Sequence, residues 1–192
     1  MKLSDYLNKS KYGFPKKGVA GIESDWMEFG NLKVPFGLLW IGDATVLNAT
    51  EGCTVEVPPN TYRVELKGMD FKGVRVIARV RVFVSNADEL TLGARQGEAI
   101  TDSAMIGICD MRALQRAVTK KHIAEFKKDL REATAQPSTC IETFLYGKNS
   151  FDLAYILSGI GDGAYDVYAL QSTGKIAGVE VEFLPRGYVH DG

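Results

Sequence analysis

The sequence predicts an α+β fold, mostly antiparallel β-sheet arranged as a sandwich or a curled sheet, with two short helices. Three observations predict it. Apolar and β-branched residues recur in short runs separated by Gly, Pro, Asn and Asp, the pattern of successive strands and turns. The runs come in the order strands, helices, strands, and not in the regular alternation of a parallel α/β sheet. One segment, Val74, Val76, Ala78, Val80, Val82 and Val84, alternates with period two and sets six small apolar side chains on one face.

Taken along the chain, residues 1–18 read as an N-terminal arm. Ser4 is placed to cap a short helix, and Gly13, Pro15 and Gly18 interrupt regular structure. Residues 19–192 then form a single β-rich globular domain. Strands dominate to about Asn86. Tyr62, Val64 and Leu66 alternate with Arg63, Glu65 and Lys67 after the turn Pro58-Pro59-Asn60, and Gly68-Met69-Asp70 is expected to connect this strand to the long valine strand as a hairpin. The valine face is expected to meet the core, and the opposite face, Arg75, Ile77, Arg79, Arg81 and Phe83, to be partly covered.

Residues 86–103 are polar, carry Gly93 and Gly97, and read as a long loop of the kind that carries function. The run Met105 to Cys109 is buried. Asp110 caps a helix with apolar positions Leu114 and Val118, and a second helical stretch carries Ile123, Phe126 and Leu130 up to Pro137. Four strands follow, over 139–145, 152–157, 165–170 and 176–184, with Ser172-Thr173-Gly174-Lys175 as a hairpin turn.

Composition narrows the function. With 192 residues the chain is long enough for one core that buries roughly 70% of its unfolded surface. Lys plus Arg number 23 against 24 Asp plus Glu, so no net positive field attracts a phosphate backbone, and nucleic acid is not the expected partner. No apolar run approaches the ~20 residues that span a bilayer, and the N-terminus has no apolar stretch of signal-peptide length. The expectation is a cytoplasmic protein with no membrane association. Three cysteines without CxxC or Cys/His spacing argue against a disulfide framework and a zinc site. No cofactor is expected: Ser158-Gly159-Ile160-Gly161-Asp162-Gly163 lacks the Lys-Ser/Thr pair and following helix that nucleotide loops need.

Two groups of residues are candidates for function. Asp43, Asp110 and Asp162 each end an apolar run or sit in the glycine loop, with Glu98 and Asp102 able to join them. Converging carboxylates bind hard cations or perform acid/base work, and Tyr165 or the loop amides would orient a ligand. The competing reading makes each Asp a cap or turn residue. The second group is Arg75, Arg79 and Arg81, suited to recognition because Arg pairs with carboxylates and stacks on aromatic rings. Pairing with Glu180 and Glu182 on a neighbouring strand is the structural alternative. His122 and His190 have no nucleophile or ligand partner in sequence, and Cys109 is discounted because burial raises a thiol pKa. Lys120, Lys121, Lys127, Lys128 and Arg131 are offset by acids at helix-neighbour spacing and read as a solvated face.

The glycine string with Tyr165-Asp166-Val167-Tyr168-Ala169-Leu170, then Gly174-Lys175-Ile176-Ala177-Gly178-Val179 and Phe183, resembles the C-terminal signature of a bacterial family known as domain of unknown function 4241. Asp102-Ser103-Ala104-Met105-Ile106-Gly107-Ile108-Cys109-Asp110 is similar to that family's second element, an Asp followed by an apolar strand ending in Asp. The resemblance implies the domain outline and no activity or catalytic residue. The leading functional expectation is a non-enzymatic binding or protein-interaction module, of immunity type in one version. The alternative is a hydrolase-like, metal- or ligand-binding site built from Asp43, Asp110 and Asp162.

Overall fold

The computed structural model describes residues 16–47, 50–87, 89–135, 139–159 and 161–190. Most of the expected N-terminal arm, the cap at Ser4 and the helix stop at Pro137 lie outside them. Eleven strands and two helices follow in order: β1 (Ile22–Val34), β2 (Leu38–Asp43), β3 (Cys53–Glu56), β4 (Asn60–Phe71), β5 (Val74–Val84), β6 (Thr91–Thr101), β7 (Met105–Asp110), α1 (Met111–Ala117), α2 (Ile123–Thr134), β8 (Cys140–Tyr146), β9 (Asn149–Leu157), β10 (Gly163–Ser172) and β11 (Lys175–Glu182). One 3-10 turn, Lys120–His122, leads into α2. The strands make two antiparallel sheets, in the orders β1-β4-β5-β11-β10-β6 and β3-β2-β7-β9-β8.

The α+β class with antiparallel sheets is therefore what forms, and its layers explain the sequence pattern. Leu32, Val64, Val80 and Val181 of the six-stranded sheet meet Leu39, Ile41, Ile106 and Ile156 of the five-stranded sheet in one core. The other side of the five-stranded sheet packs Trp40, Cys109, Phe144, Phe151 and Tyr155 against Leu114 of α1 and Phe126 and Leu130 of α2. β7 thus lies between two apolar layers, and all six of its residues are buried. A strand covered on both faces has no polar side to present, hence the unbroken run at Met105 to Cys109.

Three expectations need correction. The six small residues of the valine strand do not share a face. Lys67 pairs with Arg79 but Gly68 pairs with Ile77, so Ala78 is the extra residue of a bulge, and a bulge reverses which side the following residues occupy. Val80 and Val82 join the core between the sheets with Ile77, while Val74, Val76 and Ala78 pack with Met69 and Phe71 under Leu184 and Tyr188. The segments around Ala20 and Tyr188 thereby cover one part of the outer face of the six-stranded sheet, joined by the Ala20 to Val189 bridge and the Tyr188 carbonyl that accepts from the Gly21 amide at 3.0 Å.

The second correction moves a turn. Gly68-Met69-Asp70 is strand, and the hairpin turns at Lys72 and Gly73, both at positive φ, as a two-residue turn that matches strand twist requires. Thr173 and Gly174 make the equivalent turn between β10 and β11, where it was expected. Third, the loop assigned to 86–103 is mostly the eleven-residue strand β6. Two register shifts against β10 and a largely exposed edge position erase the period-two pattern that identifies a strand from sequence.

Candidate functional site

The three candidate aspartates divide between the two ends of the sandwich. Asp110 pairs in register with Leu39, and Asp43 lies four residues further along β2 opposite Ile106, which separates them by roughly 13 Å along the strands. Asp110 is fully buried. One carboxylate oxygen accepts from the amides of Arg112 and Ala113 at 2.9 and 3.1 Å, capping α1, and the other accepts from the Phe36 amide at 2.6 Å. Its acceptor capacity is spent on the helix start and on the β1 to β2 corner.

Asp43 serves the opposite end in the same way. Its oxygens accept from the amide and hydroxyl of Thr45, the hydroxyls of Thr101 and Ser103, and the amides of Asp102 and Ser103, at 2.5 to 3.0 Å. Burial works to raise the Asp43 pKa, but the donors from Thr45, Thr101 and Asp102 outweigh it and hold the carboxyl below its ordinary value. The carboxylate ties the end of β2 to the β6 to β7 corner. An open cleft of about 630 Å³ lies beside it, bordered by Thr45, Glu51, Glu98, Ile100 and Asp102. Glu98 and Asp102 border the same cleft as Asp43, while Asp110 does not. Among the described residues no three His, Cys, Asp or Glu side chains come together as a metal-binding group.

Asp162 is exposed and immediately precedes Gly163, whose register partner is Thr101, so it stands at the Asp43 end. The glycine loop beside it is closed on itself. The Tyr165 hydroxyl donates to the Gly161 carbonyl at 2.5 Å, the Ser158 hydroxyl donates to the same carbonyl at 2.6 Å, and the Gly161 amide donates to the Ser158 carbonyl at 3.0 Å. The Tyr165 ring packs edge-on against Phe183 at 5.1 Å, and burial pushes its hydroxyl pKa up. Tyr165 and the loop are engaged with each other, which accounts for the local geometry without a ligand.

The arginines occupy different environments. Arg75 pairs with Asp70 at 2.9 Å, beyond the Ala78 bulge and off the face of the other two. Arg79 is 1% exposed and pairs with Glu23 and, at 3.9 Å, with Glu182. Arg81 pairs with Glu65 at 2.7 Å, and its guanidinium lies 4.2 Å from the centre of the Trp26 ring and 5.1 Å from that of Phe83. Arg63 flanks Phe83 at 5.8 Å and Lys67 flanks Trp26 at 5.5 Å.

Strand register explains this assembly. One row across the outer face runs Glu28, Glu65, Arg81, Glu180, Tyr168, Arg95, and the next runs Trp26, Lys67, Arg79, Glu182, Asp166, Glu98. Charges of opposite sign stand beside one another around the two arginines, at Glu65 and Arg81, Arg81 and Glu180, and Arg79 and Glu182, the arrangement that stabilises paired strands. The expected pairing of the arginines with Glu180 and Glu182 is thus present in the register. Glu180 is buried among these groups. Desolvation raises its pKa, opposed by the attraction of Arg79, Arg81 and Arg186. α1 and α2 pack on the five-stranded sheet, so this face carries no described helix.

Sequence reasoning singled out Arg81 but missed Trp26 and Asp152. Trp26 sits in a strand with two register shifts, which conceal its face. Asp152 is buried in β9 and accepts from the Lys33 amide at 3.0 Å and the Thr143 hydroxyl at 2.7 Å, tying the edges of the two sheets together. An Asp within a strand has no turn or cap signal to reveal that role. The described helices include none long and apolar enough to cross a membrane. No family model, curated protein or solved structure matches the chain.

Proposed function

We propose that the chain is a binding module for another protein and that its contact surface is the outer face of the six-stranded sheet around Trp26 and Arg81. The observation that carries this reading is the stack of the Arg81 guanidinium on the half-buried Trp26 ring, held in place by Glu65. Trp and Arg are the residues most enriched where protein interfaces concentrate their energy. Side chains already fixed by ion pairs lose little further freedom on binding, and fixed charges of both signs on one face favour one docking register over others. A tight inhibitory or immunity-type association would use such a surface. Membership of the family that the C-terminal string resembles belongs to the same proposal and adds no reaction to it. The rival reading, a site built from Asp43, Asp110 and Asp162, has less support because Asp110 lies at the opposite end of the sandwich from the other two, and Asp43 and Asp110 bind backbone amides.

Affinity capture from extracts of the source cell, with wild-type, Trp26→Ala and Arg63→Ala chains side by side, tests the proposal. Arg112→Ala, on the far side of the molecule, is the control. The expected result is a partner retained by wild type and by Arg112→Ala and lost with Trp26→Ala. A partner held equally by every variant would place the contact surface elsewhere and overturn the reading.

A further inference from the structure

Strand β6 ends the six-stranded sheet. It pairs with β10 alone, and among the described residues its backbone makes no backbone-to-backbone hydrogen bond outside that pairing. An unpaired edge of eleven residues is a template for another strand; bulges blunt such an edge, and β6 has two, while the residues most used to protect one are Lys and Pro. Thr91 to Thr101 contains neither. Two of its large apolar side chains, Leu92 and Ile100, are instead 51% and 59% exposed. The register against alternate residues of β10 puts Leu92, Arg95, Glu98 and Ile100 on one face.

The two ends of this strand are complementary to each other. If two copies pair antiparallel about a two-fold axis through Gln96, Leu92 of each stands opposite Ile100 of the other, and Thr91 opposite Thr101. Between these ends the bulges interrupt the ladder, since Arg95 and the Gly97 opposite it occupy different faces, and Arg95, already paired with its own Asp166 and Glu98, shares a face with the second copy's Glu98. Every favourable contact occurs twice, as a symmetric interface requires. Gln96, the extra residue of one bulge, falls on the axis. We propose that the chain forms a two-fold dimer through β6, joining two six-stranded sheets into one continuous sheet. The proposal rests on the edge strand alone and is independent of the reading of the Trp26 and Arg81 face.

Sedimentation velocity over a concentration series tests it on wild-type, Leu92→Lys and Ile100→Lys chains, with Leu145→Lys on the edge strand β8 as control. The substituted side chains are already more than half exposed, so the fold is preserved. Wild type and Leu145→Lys are expected to dimerise, and either β6 substitution to weaken dimerisation by about a hundredfold, since each removes two apolar contacts per dimer. Controlled oxidation supplies an independent readout. Residues directly opposed in antiparallel strands have Cα atoms about 4.5 to 5.5 Å apart, within disulfide reach, so Gln96→Cys is expected to cross-link to its own copy. Ala94→Cys, which faces Glu98, and the parent chain are expected not to. A monomeric wild type, dimers that survive both β6 substitutions, or equal cross-linking at positions 94 and 96 would each overturn the proposal.

Discussion

The carboxylate of Asp110 accepts a 2.6 Å hydrogen bond from the amide of Phe36, 74 residues earlier in the chain, while its other oxygen caps α1. One buried side chain therefore fixes both the corner between the sheets and the start of the helix that covers the second sheet. Asp43 and Asp152 do the same work at other places, the first between β2 and the β6 to β7 corner, the second between β9 and β1. Two of the three acids that read in sequence as suited to catalysis, Asp43 and Asp110, are in space fasteners, and Asp152 is a third.

The Asp110 fastener predicts a large loss on truncation. Asp110→Ala removes a helix cap, worth about 1 kcal/mol, and leaves the Phe36 amide without its partner, at a further cost of about 1 to 3 kcal/mol if that amide is shut off from water. The expected total is about 3 kcal/mol in urea unfolding. Asp110→Asn, which retains acceptor oxygen, is expected to lose clearly less. Equal losses for the two variants would show that the charge matters more than the hydrogen bonds.

Asp43 predicts a pH dependence. Its folded pKa lies below the ordinary 3.8, so the folded state favours the ionised form and stability is gained above the unfolded pKa. That contribution is fully present at neutral pH and is lost as pH falls below about 4 toward the folded value. Asp43→Ala is therefore expected to be less stable than wild type at pH 7, with the gap narrowing as thermal melts are repeated down to pH 3. A gap that is constant with pH would mean that the carboxyl charge does not contribute.

Much of this architecture was legible. The helix cap at Asp110, the hairpin turn at Thr173-Gly174 and the four C-terminal strands follow from local chemistry: a side-chain acceptor before an apolar run, a glycine where φ must be positive, and β-branched residues between turns. Bulges were not legible. The Ala78 bulge turns an uninterrupted row of six valine-type residues into two half rows on opposite faces, and the register shifts in β6 conceal a strand as a loop. A bulge is decided by the pairing partner, here β4 or β10, and one strand's sequence does not contain its partner's register. The candidate site divided along the same line. The alternation around Arg79 and Arg81 was visible, but the stack on Trp26 depends on register between β1, β4 and β5.

Glu180 predicts a pH effect of opposite sign to that of Asp43. Burial raises its pKa above the ordinary 4.5 despite Arg79, Arg81 and Arg186, so the folded state holds the proton to higher pH than the unfolded chain. The associated stability is present below about pH 4.5 and is lost as pH rises through the folded value. Glu180→Gln keeps the shape and removes the charge. It is expected to melt above wild type at pH 7, with the difference closing at pH 4. A variant less stable than wild type at pH 7 would mean that the three arginines outweigh desolvation.

The close approach of β5 and β11 predicts the most damaging small substitution. A Cβ added at Gly178 would lie 2.0 Å from the Val82 carbonyl oxygen and 2.6 Å from the Phe83 Cα, both backbone atoms that cannot swing aside. Gly178→Ala must therefore separate the two strands that carry the Arg81 to Glu180 and Arg79 to Glu182 pairs. Overpacking of this kind costs about 3 kcal/mol or more. Gly174, in the hairpin turn between β10 and β11, has φ +77 and open space around it. Gly174→Ala pays only for the left-handed backbone, about 1 to 2 kcal/mol. Urea unfolding of the two variants is expected to rank Gly178→Ala as clearly the less stable, and because its strain falls on the rows beside Trp26, its tryptophan emission in the absence of denaturant should differ from wild type while that of Gly174→Ala does not. The reverse ranking would mean that β5 and β11 separate at little cost, and the charge rows across them would then be a consequence of the packing and not a support for it.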